Sequence, residues 1–240
     1  MRLLVDTRNG LAGDIMAAGL IGLGAPSDRI TNAMEAAGNL IDRTEVSHSF
    51  KAGIHRLGVD FASPGHLHAS EAKRILGRAL IKNSVPAPWD ETALRVLDVM
   101  TEAEGHVHST HHLLKQHYHG HEPVLHEASD IIIDIAGMAV GMSELGITSV
   151  EYLDFVNVGS GCVKFSHGNL DVPTPATRHI LDHYGIAWKT SDSGMESTTP
   201  TGASILAGCG AVRLPAEPSY SRKALAGGTR PLPPVAFILY

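Results

Sequence analysis

The chain has 240 residues, 43 % hydrophobic and 18 % charged, enough apolar material for a buried core, so wholesale disorder is excluded. With 19 Lys and Arg against 25 Asp and Glu the net charge is −6, which argues against a duplex nucleic-acid partner; aromatics at 5 % argue against serial base stacking. No stretch reaches ~18 apolar residues, so no membrane span is expected; the N-terminus enters LLVD without an apolar leader core, and Cys162 and Cys209 suit a reducing cytoplasm better than a disulfide framework.

Residues 2–6 (RLLVD) predict a short buried strand. The Gly-bearing turn TRNGLAGD follows, then a helix over 14–23 with apolar positions at Ile15, Met16, Leu20 and Leu23. Strand, turn and helix in that order predict an α/β protein, a mixed sheet flanked by helices. A second helix is expected over 27–37 with Ser27 as its N-cap. Residues 44–50 and 54–61, divided by Lys51-Ala52-Gly53, predict a β-hairpin. After the loop ASPGHLHAS, helices are expected from Ser70 to about 82 and over about 89–105.

The window 106–126 holds eight of the fifteen histidines and reads as a His-rich loop between two helices. An apolar helix is expected over 127–144, then strands over 150–158 and 162–165 around Gly159-Ser160-Gly161. In VPTPATRHIL, Thr174 is a natural N-cap with Pro175 at the first helical position. IAWKT reads as a strand and TTPTGASILAG as a turn entering a helix. Residues 1–210 are expected to form one domain, and 211–240 a Pro- and Gly-rich tail ending in VAFILY.

Chemistry concentrates on the 127–144 helix. His126, Asp130 and Asp134 recur at i, i+4, i+8, and Glu127, Asp130 and Asp134 at i, i+3, i+7, so they share one stripe. Carboxylates interrupting an Ile-rich segment are costly unless paired or bound to a cation. The donor set suits Mg²⁺ or Mn²⁺ and is tolerated by Ni²⁺; an acidic cluster favoured by the helix dipole is the alternative. Glu102, Glu104, His106 and His108 close the preceding helix, with Glu104 and His108 on one face; they either complete the same site or form a solvated helix end. His111, His112, His117, His119 and His121 have spacings that bind divalent transition metals almost regardless of geometry, as a recruiting loop or an adventitious sponge. Backbone N–H groups at Gly10 to Gly13, Gly159-Ser160-Gly161 and Thr199-Pro200-Thr201-Gly202 suit a phosphate, or make tight turns.

Five segments in order then carry a resemblance. They are LVDTRNGLAGDIMAAGLIGLG at 4–24, GHLHASEAKRIL at 65–76, TEAEGHVH at 101–108, LHEASDIIIDIAG at 125–137, and VGSGCVKFSHGNLDVPTPAT followed by TTPTGASIL. With them the chain resembles the nickel insertion proteins of nickel-pincer cofactor biosynthesis, the LarC family. The resemblance implies a cytoplasmic, CTP-dependent nickel chelatase, a metal-inserting lyase. It would insert Ni²⁺ into pyridinium-3,5-bisthiocarboxylic acid mononucleotide, with Mg²⁺ or Mn²⁺ accompanying CTP. The substrate brings its own thiolates, so the protein needs N and O ligands and a phosphate site.

Carried onto matching positions, the implied catalytic residues are Glu104, His108, Asp130 and Asp134. The implied cofactor-binding residues are Asp6, Gly13, Asp14, Gly159, Gly161, His167, Thr199, Thr201 and Gly202, to which the turn backbone adds Gly10 and Ser160. The expected metal ligands are His66, His68, His106, His108, His111, His112, His117, His119, His121, His126, Glu127, Asp130 and Asp134. The chain departs from the family pattern in three ways. The histidine run near residue 66 is thinned to His66 and His68, a His-rich insert follows His108, and two residues are missing between Glu127 and Asp130. Family members also usually continue into a C-terminal domain. The resemblance therefore allows that domain on a separate chain, and a second copy of this chain, as partners; no nucleic acid or membrane is expected. Two other readings stay open: a nickel or zinc store or chaperone without catalysis, and a divalent-metal nucleotide phosphohydrolase.

Overall fold

A computed structural model describes residues 1–110, 122–165 and 168–240. The elements in its first half are β1 (Arg2–Val5), α1 (Gly13–Gly22), α2 (Ser27–Gly38), β2 (Thr44–Lys51), β3 (Ile54–Phe61), β4 (Leu67–His68), α3 (Ala69–Lys82) and α4 (Trp89–Thr110). Then come β5 (Val124–Leu125), α5 (Ala128–Glu144), β6 (Ser149–Leu153), β7 (Val156–Gly159), β8 (Cys162–Phe165) and β9 (Gly168–Asp171). The last are α6 (Pro175–His183), β10 (Trp188–Thr190), α7 (Pro200–Gly208), β11 (Val212–Leu214), β12 (Arg222–Ala226) and β13 (Val235–Leu239).

The main sheet has seven strands in the order β11-β6-β1-β13-β12-β3-β2. It is mixed: β1 runs parallel to β6 and antiparallel to β13, and β12 runs parallel to β3. The α/β expectation holds. The apolar VAFIL segment supplies β13, which lies between β1 and β12 with Phe237 and Ile238 fully buried. A strand covered on both faces reads as a continuous apolar run, so the C-terminal tail packs into this sheet. Residues 212–239 together contribute three of its seven strands.

Helix α1 lies against β3, β12 and β13, and α5 packs on α1, α2 and α4. Every residue of α5 from Ile131 to Met142 is buried, Asp134 included, as expected of a helix that is apolar all round. The β2–β3 hairpin turns on Ala52 (φ +50°) and Gly53 (φ +78°), the paired left-handed conformations that match strand twist in a two-residue loop.

Three local expectations are corrected. Ser27 is the first helical residue of α2, and Pro26 occupies the cap. The single strand expected over 150–158 is two strands in different sheets, because the chain turns at Asp154 (φ +57°). The helix expected to stop near 105 continues to Thr110, so His106 and His108 are helical and face different ways. No helix among the described residues is long and apolar enough to cross a membrane.

Candidate metal and substrate site

The turn leaving the carboxyl end of β1 builds the floor of the site. Gly10 N–H donates to the Thr7 carbonyl at 2.9 Å, Leu11 N–H to Ser197 O at 3.0 Å, and Thr199 N–H to Leu11 O at 3.0 Å. Residues 196–199 are thereby stitched alongside this turn. Gly13 opens α1, and a side chain there would collide with the Asp134 carboxylate. Asp134, from the middle of α5, thus lies over the first turn of α1 and accepts the Asp14 N–H. A helix N-terminus favours a negative group, and here Asp134 fills that place.

Asp14, Asp130 and Asp134 line one cavity of about 300 Å³, with Glu196, Thr199 and Arg230. Burial, then the Asp130 and Asp14 charges, pushes Asp134 well above the usual carboxylate range. Its Oδ1 is buried with no hydrogen-bond partner among the described residues, and Glu196 Oε1 is in the same state. Burial also raises Asp130, Glu127 and Glu196. Arg230 opposes the rise at Glu196, donating to its backbone O at 2.7 Å and to Oε2 at 3.2 Å. Packed, desolvated carboxylates with unused lone pairs fit a hard divalent cation.

For Asp14, burial and the Asp130 charge raise the carboxyl from 3.8 to about 6. The folded state therefore favours the protonated form. Stability from this group is fully present below its unfolded value and is lost as pH rises through the folded value. Metal-free Asp14→Asn should exceed the wild type by on the order of 3 kcal/mol above about pH 6.5 and match it near pH 3.5. Urea unfolding at both pH values checks this, and a pH-independent difference would refute it.

Four residues, Asp130, Glu196, Thr199 and Arg230, also line a second lobe of about 260 Å³. Into it come Glu104, His108, His126 and Glu127. Glu104 Oε2 lies 3.4 Å from His108 Nε2, one helical turn on. His108 stacks on His126 with ring centroids 5.0 Å apart, and His126 Nδ1 sits 3.1 Å from His66 Nδ1. The pairing of β4 with β5, Leu67 opposite Leu125, brings His66 and His126 together across 60 residues. His126 and Glu127 precede the first turn of α5, so the helical spacing used in the sequence does not govern them; they reach the lobe by this route.

Other expected residues lie elsewhere. Asp6 pairs with Arg8 at 2.8 Å. His68 is exposed, 4.0 Å from Glu122. His106 points away from His108 and stacks on His179, centroids 4.0 Å apart. Gly159 N–H donates to Asn157 Oδ1 and Ser160 N–H to Met195 O, so both are committed within the chain. At Thr199 the side chain caps α7 by accepting Gly202 N–H at 3.2 Å, and Thr199 and Thr201 line the second lobe. His111, His112, His117, His119, His121 and His167 lie outside the described residues. Sequence reasoning missed Glu196 and Arg230. The signals were an acidic residue two positions before the TTPTG turn and an arginine closing the Gly-Gly-Thr turn at 227–229.

The chain is a mixed α/β fold with imidazoles and buried carboxylates, the donor types that ligate metal ions, gathered beyond the carboxyl end of β1. Its family is settled by comparison: the family model described as nickel insertion protein matches residues 3–239, and the chain belongs to that family. It is 32 % identical over 216 residues to a putative nickel insertion protein of Roseiflexus castenholzii, covering 88 % of this chain and 51 % of that one. It is also 32 % identical over 219 residues to a Thermotoga protein named pyridinium-3,5-bisthiocarboxylic acid mononucleotide nickel insertion protein, covering 86 % and 52 %. A Staphylococcus saprophyticus protein of the same name is 31 % identical over 211 residues, covering 85 % and 50 %. The chain spans about half the length of the curated relatives it matches. No solved structure matches it.

Proposed function

We propose that this chain takes part in inserting Ni²⁺ into pyridinium-3,5-bisthiocarboxylic acid mononucleotide, the substrate in the names of the Thermotoga and Staphylococcus relatives. The observation that carries the reading is the cluster of Asp14, Asp130 and Asp134, with Asp134 Oδ1 unpartnered among the described residues, opening onto a lobe lined by Glu104, His108 and His126. The three aspartates would hold Mg²⁺ or Mn²⁺, which neutralises phosphate charge when bound. The phosphate of the mononucleotide fits the start of α7 at Thr199–Thr201, where Arg230 and Lys164 line the same lobe. Imidazoles and carboxylates deliver Ni²⁺ to thiolates that the substrate itself supplies. As nickel bonds to the pincer carbon, the C–H bond breaks and the proton passes to the Glu104–His108 pair. The Gly10–Gly13 turn, suited to a phosphate by its sequence, instead receives the Asp134 carboxylate.

Anaerobic calorimetry of the metal-free pincer mononucleotide, with and without Ni²⁺, tests this reading. Saturable binding near one per chain is expected. Absence of binding in both conditions would overturn it and favour a metal carrier.

A further inference from the structure

Helix α4 carries two pairs of ligating residues four apart. Glu104 and His108 face the central cavity. Glu102 and His106 project from another side, toward α6. On α6, His179 and His183 are again four residues apart, and residues at i and i+4 share a helix face. Their rings stack with centroids 5.5 Å apart. His183 Nε2 lies 3.9 Å from Glu102 Oε1, and His106 stacks on His179 at 4.0 Å. Two chelating pairs therefore confront each other across the α4–α6 interface, at the edge of a cavity of about 950 Å³.

We propose that Glu102, His179 and His183, with His106 beside them, form a second divalent transition-metal site. One ligating atom from each of the first three lies within 4.8 Å of the others. Nitrogen and oxygen ligands ~2.0–2.2 Å from one ion stand roughly 3–3.5 Å apart. Closing that gap takes small side-chain rotations, and Glu102 and His183 are half exposed and free to make them. Tyr184 OH, donating to Glu102 Oε2 at 3.4 Å, leaves Oε1 for the ion. Two or three imidazoles and one carboxylate select Ni²⁺, Cu²⁺ or Zn²⁺ over Mg²⁺. The site is separate from the aspartate cluster, although Val107, Leu170 and Pro175 line both its cavity and the imidazole lobe.

The test uses the full chain with His111, His112, His117, His119 and His121 replaced by Asn, so that loop binding does not mask it. Equilibrium dialysis against Ni²⁺ gives the number bound. His179→Ala with His183→Ala should lose one equivalent per chain while retaining the parent far-UV spectrum. Asp130→Asn with Asp134→Asn should keep that equivalent, so failure of the central reading is seen separately. With Cu²⁺ as probe, the parent should show imidazole nitrogen hyperfine coupling that the His179/His183 variant loses. Unchanged stoichiometry and an unchanged Cu²⁺ spectrum in that variant would overturn the proposal.

Discussion

Replacing Asp130 and Asp134 together by asparagine is expected to cut nickel insertion at least ~100-fold, since a site cation supplies several kcal/mol of charge stabilisation. The same double variant should be more stable than the wild type when metal-free at pH 7.5. Asp134 is 3 % exposed, Asp130 lies beside it, and burial raises both pKa values. Near neutral pH the metal-free fold must either bind protons here or hold desolvated charges, and both cost stability. Asparagine keeps the shape and an acceptor for the Asp14 N–H while removing the charge. The melting temperature should rise by about 2–4 °C for each kcal/mol relieved. Calorimetric melting and a product assay measure the two effects on one sample. Retained product formation would remove the stripe from the mechanism. A lower melting temperature would show that these carboxylates are already compensated without metal.

The second large effect is expected at Gly10. Its φ is +93° with ψ −172°, a conformation essentially reserved for glycine and costing other residues about 1–3 kcal/mol. A Cβ there would also run into the Ser197 carbonyl oxygen. That oxygen is backbone and holds the Leu11 N–H, so it cannot rotate aside. Gly10→Ala should therefore lose more than about 3 kcal/mol in urea unfolding. Displacing Ser197 would also shift its neighbours Glu196 and Thr199, so substrate binding should fall with stability. Gly53→Ala is the control: φ is +78°, but nothing among the described residues lies within 4 Å of the added methyl. It should cost only about 1–2 kcal/mol. Equal losses in the two variants would show that the seam between the β1 turn and residues 196–199 yields.

These two sites differ in how far they could be read in advance. Asp130 and Asp134 stand out in one dimension, because charges four apart inside an isoleucine run are a local anomaly with a local period. The hairpin turn, the Pro175 helix start and the apolar α5 are legible for the same reason. Gly10 reads as a turn glycine or a phosphate-facing backbone donor; that it must be glycine depends on Ser197, 187 positions later. The division of Glu102 and His106 from Glu104 and His108 onto two sides of α4 turned on where α4 stops. A helix end near 105 would have left His106 and His108 without a fixed face, whereas the helix to Thr110 assigns each one.

By itself the sequence determined the α/β class, the helices and the β2–β3 hairpin, the Asp130–Asp134 stripe and, through five motifs in order, membership of the nickel insertion family. The fold class, the elements and the stripe rest on composition or on short-period patterns that neighbouring residues carry, and the family rests on the resemblance of those motifs. Only the tertiary structure decided which side chains meet. It set Asp134 on the first turn of α1, joined His66 to His126 through a two-strand pairing, and brought Glu196 and Arg230 to the cavity. It also placed the last strand inside the main sheet and faced α4 with α6. Such contacts join residues tens to hundreds of positions apart. Packing of whole elements on a shared core selects them, and no local period in the chain records that choice.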